Sequence, residues 1–202
     1  MKNSFSVLFL LLTMAGCITK SVPPPDVYTI LPEWHDSATV LPAQQIRNPI
    51  VVRMATIQAA RTYTGTDIIY SDSEYSRECY AYSRWNDSPV KLLRILFHAI
   101  LERSGLFRAV VSPASSAGAD LILEGRLYDF SHHVEDDGSS WGVVRVRFYL
   151  IDSETRTVTA TKEFVSRAAA PSVDAHGAVA ALNSAAREVA WELVTWLAGT
   201  GL

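Results

Sequence analysis

Three long stretches in the second half of the chain alternate apolar and polar residues, and this pattern restricts the fold more than any other feature of the sequence. The stretches cover residues 120–130, 142–151 and 157–165. Successive side chains of a strand point to opposite faces. In the middle stretch the two faces differ in character: Val144, Val146, Phe148 and Leu150 lie on one, and Arg145, Arg147 and Tyr149 on the other. The pattern predicts a meander of three antiparallel strands with one buried face and one face in water.

Two segments have helical spacing instead. Ser88 is in position to cap a helix whose first residue is Pro89 and which ends at Ser104 and Gly105. A second helix is expected from about Ser172 to Gly199, with an alanine-rich flank that would let it lie close to a sheet.

Four shorter apolar stretches precede the first helix: "VYTILP", "PIVVRMATIQ", "TDIIYSD" and "CYAYSRW". Each is typical of a short strand. Cys79 begins the last of them, and we interpret it as a small buried hydrophobic residue. The predicted fold class is therefore α+β, with a mostly antiparallel sheet and two main helices packed on one face.

The first residues resemble an export signal. Lys2 is followed by an apolar run of about ten residues, which as a helix would span roughly 15 Å against a hydrocarbon core of about 30 Å. The sequence Met14-Ala15-Gly16-Cys17 resembles the bacterial lipobox, which is cleaved between Gly16 and Cys17. Lipid attachment is then expected at Cys17, with palmitate among the acyl chains.

The chain is thus expected to have three parts. Residues 1–16 would be the signal peptide, residues 17–26 the lipidated cysteine with a proline-rich tether, and residues 27–202 a single α+β periplasmic domain. Three consecutive prolines, Pro23 to Pro25, favour an extended tether. Ile18 follows the cysteine where a retention signal would place Asp, so by resemblance to sorted lipoproteins the destination is the periplasmic face of the outer membrane of a Gram-negative bacterium.

Composition excludes several classes of function. About 185 residues remain after the signal, enough for one well-filled core. The net charge is −3 and the basic residues are spread along the chain, so nucleic acid is not expected as a partner. With Cys17 acylated, Cys79 is the one remaining thiol and cannot form an intramolecular disulfide.

Two patterns could carry chemistry. Residues 138–142 match G-x-S-x-G with Ser140 as the nucleophile, but a strand rather than a helix is predicted to follow, unlike a nucleophile elbow. His132 and His133 precede Glu135, Asp136 and Asp137, although neighbours in a strand point to opposite faces. We therefore expect no enzyme activity, no metal and no cofactor, and keep a serine hydrolase using Ser140 as an alternative.

The stretch "YAYSRWNDSPVKLLRILFHAILERSGLF" resembles the ABC-type transport auxiliary lipoproteins, the PqiC-like family. The chain is also similar to this family, in the same order, at "VYTILP", "ADLILEGRLYDF", "FYLIDSETRTV" and "AVAALNSAAREVAWELVTWL". The motif residues of this resemblance are Tyr80, Trp85 and Pro89, which we interpret as structural.

The resemblance implies a non-enzymatic outer-membrane component of an MCE-type ABC system that moves lipid between the inner and outer membranes and supports membrane integrity. Its partner would be the MCE-domain protein of that system, and a homo-oligomer is possible. We expect the contact on the polar face of the meander, at Arg145, Arg147 and Tyr149. A periplasmic lipid carrier holding an acyl chain between helix and sheet is a further alternative.

Overall fold

The computed structural model describes residues 23–32 and 48–201. The predicted signal cleavage and lipid attachment at Gly16 and Cys17 lie outside these residues. The described part contains eight strands and two long helices, with one short 3-10 turn at Arg61–Tyr63. In chain order the elements are β1 (Asp26–Tyr28), β2 (Asn48–Ala59), β3 (Asp67–Ser71), β4 (Glu78–Trp85), α1 (Pro89–Arg103), β5 (Phe107–Val111), β6 (Leu121–Val134), β7 (Ser140–Asp152), β8 (Val158–Ala169) and α2 (Ala175–Ala198).

The eight strands form one sheet, and it is mixed. Among the described strands, the pairs β1–β4, β2–β5, β2–β6 and β3–β6 are parallel, whereas β3–β4, β6–β7 and β7–β8 are antiparallel. The predicted α+β fold is confirmed, and the prediction of a mostly antiparallel sheet is confirmed only in part, because the sheet is mixed and four of its seven described strand pairings are parallel. Alternation of apolar residues reports which face of a strand is buried, but strand direction depends on the connections. Here the path from β2 to β5 runs through α1, a crossover of the kind that parallel strands require.

The meander predicted for the second half of the chain is confirmed. Strand β6 pairs with β7 from Leu121↔Asp152 to Val134↔Ser140, and β7 pairs with β8 from Trp141↔Ala169 to Ile151↔Val158. The apolar row of β7 is fully buried. A register irregularity between Leu127 and Asp129 interrupts the β6–β7 ladder once.

Both helices lie on the same face of the sheet, as predicted. Helix α1 packs against β2 and β5, helix α2 packs against β7 and β8, and the two helices contact each other. A row of aromatic rings joins the layers: Phe97 of α1, Phe148 of β7, Phe164 of β8 and Trp196 of α2, with successive ring centroids 5.3, 6.1 and 5.8 Å apart. This row lies at the centre of the core between helices and sheet.

Helix α1 begins where the sequence predicts, with Pro89 in the first turn and Ser88 at the N-cap. The Ser88 hydroxyl makes no capping hydrogen bond. Instead the Asp87 carboxylate accepts from the Ser88 amide at 2.7 Å. At α2 the cap is Asp174, whose side chain accepts from the Gly177 amide at 2.8 Å.

The described N-terminal segment, residues 23–32, is held against the edge of the sheet that β4 forms, and we call it the N-terminal arm. Strand β1 pairs with the end of β4, and Ile30 is buried. Asn183 of α2 accepts a hydrogen bond from the Leu31 amide and donates one to the Thr29 carbonyl, so its side-chain amide pairs with the arm as a strand would. Neither α1 nor α2 is long and apolar enough to cross a bilayer, and the same holds for the rest of the described helical structure.

Candidate functional site

The side of β6, β7 and β8 that faces away from the helices has a row of charged and aromatic side chains, which makes it the candidate functional site in the described chain. We call this side the outer face. Its residues follow from the strand registers: Glu124, Arg126 and Tyr128 on β6, Trp141, Arg145, Arg147 and Tyr149 on β7, and Thr161, Glu163, Val165 and Arg167 on β8. No helix among the described elements covers it.

Arg145 and Arg147, two of the three predicted contact residues, share one carboxylate on this face. Glu163 lies 2.7 Å from a guanidinium nitrogen of each arginine. Hydrogen bonding from Arg145 lowers the pKa of Glu163. Both guanidinium groups also lie over the Tyr128 ring, at 5.7 Å from its centroid. The two arginines are therefore fixed in position, yet their side chains remain 52% and 39% exposed.

Arg126 places a further positive charge beside this cluster. It stands directly opposite Arg147 in the antiparallel register, and its other strand neighbour, Gln58, is neutral. Gln58 accepts a hydrogen bond from Arg126 at 3.2 Å. Like charges directly opposite one another on two strands are destabilising. Arg126 and Arg147 therefore form a locally unfavourable pair of like charges at the centre of the outer face.

Tyr149, the third predicted contact residue, joins the arginine cluster to a shallow depression. The Tyr149 hydroxyl, close to the Arg147 guanidinium, raises the pKa of that arginine. The residues that line the depression are Ala55, Thr56, Gln58, Glu124, Gly125, Arg126 and Tyr149. It forms where β2 has one extra residue relative to β6, between Met54 and Ile57. Such bulges are frequent next to functional sites.

A second arginine–aromatic contact lies toward the β6–β7 hairpin. The Arg167 guanidinium stacks over Trp141 at 4.5 Å from the ring centroid and pairs with Glu135 at 2.5 Å. Arginine, tyrosine and tryptophan are the residue types enriched at protein interfaces and at their energetic centres. The outer face is therefore suited to binding a protein.

A buried polar network borders the outer face. Asp129 accepts hydrogen bonds from Tyr63 at 3.0 Å and Ser131 at 2.5 Å, and lies 2.9 Å from Nε2 of His133. Burial alone would raise the pKa of Asp129, but hydrogen bonds from His133 and Ser131 outweigh it, so the pKa lies below its usual range. The three residue types match a catalytic triad, but their arrangement differs. The same His133 nitrogen, Nε2, lies 2.9 Å from Asp129 and 3.1 Å from the Ser131 hydroxyl, and that hydroxyl itself donates to Asp129. In a triad the carboxylate holds one ring nitrogen and the serine the other, so this geometry does not activate Ser131 as a nucleophile.

The two histidines considered for a metal lie on opposite faces of β6. His133 belongs to the network on the outer side, whereas His132 is fully buried on the helix side, where its Nδ1 lies 2.7 Å from the Tyr80 hydroxyl. Burial lowers the pKa of His132. Glu135 pairs with Arg167, and Asp137 accepts from the Ser139 amide. Within residues 23–32 and 48–201 no group of three or more His, Cys, Asp or Glu side chains is placed to hold a metal ion.

Ser140 does not lie in a nucleophile elbow. It is the first residue of β7, is buried, and its hydroxyl has no hydrogen-bond partner within the described structure. An elbow needs a strand-to-helix turn that exposes the serine. The geometry around Ser140 thus gives no support to the hydrolase alternative.

The layer between helices and sheet is filled by the protein's own side chains. Phe97, Phe148 and Phe164 occupy its centre with 0–1% exposure. At Gly142 the helix backbone is so close that an added Cβ would lie 2.5 Å from the carbonyl carbon of Ala181. An acyl chain held at this position, as in the lipid-carrier alternative, would have to displace packed side chains.

The three family-motif residues lie in or beside the core. Trp85 is 1% exposed and its ring centroid lies 5.5 Å from that of Phe130. Pro89 is buried at the start of α1. Tyr80 is half-buried and hydrogen-bonds His132; burial raises its pKa to about 12. All three contact other parts of the fold rather than a common surface.

Sequence reasoning missed several residues of the outer face. Glu163 lies in the stretch 157–165, whose alternation was recognised, so pairing that stretch with β7 would have placed it beside Arg147. Arg167 lies two residues beyond that stretch, because β8 continues to Ala169. The position of Tyr128 could not be predicted in this way. The register irregularity between Leu127 and Asp129 changes which residues of β6 share a face at that point.

Two solved structures resemble this chain. A protein from Xanthomonas campestris shares 21% sequence identity at a TM-score of 0.76, over 87% of this chain and 95% of that one. A second, uncharacterised protein shares 13% identity at a TM-score of 0.64, over 87% of this chain and 99% of that one. At these identities the likeness shows the fold alone.

Comparison with curated proteins finds no match. A family model does match, and it describes the ABC-type transport auxiliary lipoprotein component. It covers residues 31–194, which include all of α1, the whole sheet except β1, and most of α2. The chain belongs to the family of ABC-type transport auxiliary lipoprotein components.

Proposed function

We propose that this protein is a docking subunit of an MCE-type ABC transport system that moves lipid between the inner and outer membranes and thereby supports membrane integrity. An auxiliary component acts through a partner, and the proposed partner is the MCE-domain protein of the system. The proposed role is binding rather than catalysis.

One observation carries the proposal: a broad sheet face, rich in arginine and aromatic residues, that no described element covers. In a compact domain a face of a sheet is buried where a second layer of helices or strands packs against it, and an uncovered face stays available for a partner. The outer face instead presents fixed but exposed side chains, namely Arg145, Arg147 and Tyr128. Fixed side chains lose little freedom on binding, which favours affinity.

The N-terminal sequence supports the location that this role needs. Lipid at Cys17 would hold the domain at the periplasmic face of the outer membrane, and eight residues lie between Cys17 and the start of β1 at Asp26. An extended, polyproline-like tether would allow about 28 Å between Cys17 and Asp26, which is nine residue steps at roughly 3.1 Å each. A partner crossing the periplasm would then meet a domain that stands just off the membrane.

Crosslinked co-purification from envelope fractions tests the proposal. The wild-type protein should recover an MCE-domain protein, and the double variant R145A/R147A should recover much less, because two arginines at the centre of the face are removed. The variant R108A is the matched control, since Arg108 is exposed on β5 at the other edge of the sheet. Recovery of no MCE-domain protein by the wild type, across repeated preparations, would reject the proposed partner.

A further inference from the structure

Strand β8 ends the sheet with a long open edge. It has 12 residues and pairs with β7 on one side, and no other described strand pairs with it. The edge adjoins the outer face, because Glu163 of β8 holds both Arg145 and Arg147. The open edge and the outer face therefore form one continuous surface.

The register shows which backbone groups point out of this edge. The Ala170 amide donates to the Ser140 carbonyl at 2.8 Å, so the backbone groups of residue 170 point toward β7. In an antiparallel ladder the direction alternates from one residue to the next, and the register is regular from Ala160 to Ala169. The N–H and C=O groups of residues 161, 163, 165 and 167 consequently point away from the sheet.

Edge strands of soluble proteins are normally protected against pairing by proline, bulges, short length or charged side chains, lysine above all. Between Ala160 and Ala169 strand β8 has no proline and no register irregularity. Its charged residues are Lys162, Glu163 and Arg167, and the last two are already held in ion pairs within the chain. Thr161 and Val165 are residue types that favour strands. Val165 is also 57% exposed. This edge is open to an added strand over several residues.

The charges around the edge indicate what kind of strand would fit. Arg145, Arg147 and Arg167 lie on the outer face, whereas Lys162 lies on the helix side of β8, beside Phe164. Three carboxylates lie near these four cations, and each already bonds within the chain: Glu163 to Arg145 and Arg147, Glu135 to Arg167, and Glu188 to Ser166. Lys162 lies over the Phe164 ring and makes no ion pair with any described residue. The edge is therefore slightly basic within a chain whose net charge is −3.

We propose that an extended, acidic segment of the partner protein adds to β8 as a further strand of the sheet. The proposal rests on the docking function proposed above and names the site and the chemistry of the partner segment. Main-chain hydrogen bonds to residues 161–167 would give affinity, and acidic side chains beside Lys162 and Arg147 would give selectivity. A second copy of this chain fits less well, because pairing two β8 edges would bring two slightly basic surfaces together.

The first test maps what lies on the edge. A photoreactive phenylalanine analogue is placed at Val165 in the full-length, membrane-anchored protein, and at Ile95 as a control on the exposed side of α1. Crosslinked peptides from native envelopes are then identified by mass spectrometry. The proposal expects an acidic peptide of an MCE-domain protein from position 165 alone. A crosslink from position 165 to β8 of a second copy, or equal crosslinking from both positions, would overturn it.

The second test separates strand addition from side-chain contact. V165P removes an outward-pointing N–H while leaving the ladder to β7 in place, whereas V165T keeps that N–H and alters the side chain. Strand addition predicts that V165P weakens binding of the partner by about tenfold or more, whereas V165T binds as the wild type does. Equal binding by V165P and wild type would exclude strand addition even if R145A/R147A still failed to bind, in which case the docking function would stand. If thermal unfolding shows that V165P is not folded, T161P takes its place.

Discussion

Gly142 lies where α2 crosses β7, and its missing side chain determines how closely the helix approaches the sheet. An added Cβ would come within 2.5 Å of the backbone of Ala181 and Leu182. Backbone atoms in a packed helix cannot turn aside as the end of a flexible side chain can. The alanines of α2 that face the sheet are buried for the same reason, so the close approach depends on small residues on both sides.

We predict that G142A lowers the free energy of unfolding by about 1–3 kcal/mol, the usual range for overpacking a core. In a domain of this size the loss corresponds to a fall in Tm of about 2–4 °C per kcal/mol. The matched control is G118A, because a Cβ at Gly118 meets no atom within 4 Å. Equal thermal unfolding curves for G142A and G118A would contradict the close packing described here.

His132 makes stability depend on pH. Burial lowers its pKa in the folded protein, and the nearby His133 adds to this. The unfolded chain, with a histidine pKa of about 6.5, then binds a proton more readily than the folded chain does. The contribution of His132 is therefore most favourable above that pH and declines as the pH falls through it.

Urea unfolding at pH 7.5 and pH 5.0 measures this dependence. The wild type should lose more stability between the two pH values than H132Q does, because glutamine does not titrate while its amide can still reach Tyr80. The remaining histidines are common to both proteins and cancel in the comparison. A loss at least as large in H132Q as in the wild type would show that His132 is not the group responsible.

Among the elements of the fold, the N-terminal arm is held by a small number of contacts. Strand β1 has three residues, and Asn183 supplies two of the hydrogen bonds that hold the arm to α2. N183L would leave the Leu31 amide and the Thr29 carbonyl without these partners. Because Leu31 is exposed, water can replace part of what is lost, and the expected cost is that of an ordinary hydrogen bond, about 0.5–1.5 kcal/mol each.

Hydrogen exchange measures this loss directly. The Leu31 amide should exchange markedly faster in N183L, while amides in the centre of β7 should keep their protection. S184A is the control, since Ser184 is exposed on the next position of the same helix. Unchanged exchange at Leu31 would mean that the arm is held by other contacts.

Elements with a strong period were predictable from the sequence. The meander and both helices follow from alternation and helical spacing, because those patterns record which side chains are buried. The bulge in β2 and the crossover through α1 leave no such record, so the parallel pairs were missed. The prediction that Cys79 is buried is also wrong: its stretch does form β4, but the residue itself is exposed.

At the scale of the whole molecule, the sequence predicted part of the candidate site. Arg145, Arg147 and Tyr149 lie on one exposed face because the period of β7 is unbroken. Their partners come from other strands: Glu163 from β8, Arg126 and Tyr128 from β6, and Gln58 from β2. Such a cluster depends on strand order and register, which the local pattern of one strand does not contain.

Two features of the whole molecule matter for the proposed role: the lipid anchor expected at Cys17 and the outer face of the sheet. The proposed role needs both, since the anchor would keep the docking face at the membrane where lipid is delivered. We predict that a secreted form without the anchor still binds the MCE-domain protein in solution. It should nevertheless fail to restore detergent resistance in a strain that lacks the native protein. Full restoration by the secreted form would show that anchoring is dispensable.

The most direct measurement of the central claim is the affinity of the purified, delipidated protein for the MCE-domain protein, compared with R145A/R147A and the control R108A. Docking through the outer face predicts saturable binding by the wild type and R108A, and at least a tenfold loss in the double variant, equivalent to about 1.4 kcal/mol. The contrary result would be equal affinity for all three proteins, which would place the docking site elsewhere, or no binding by the wild type.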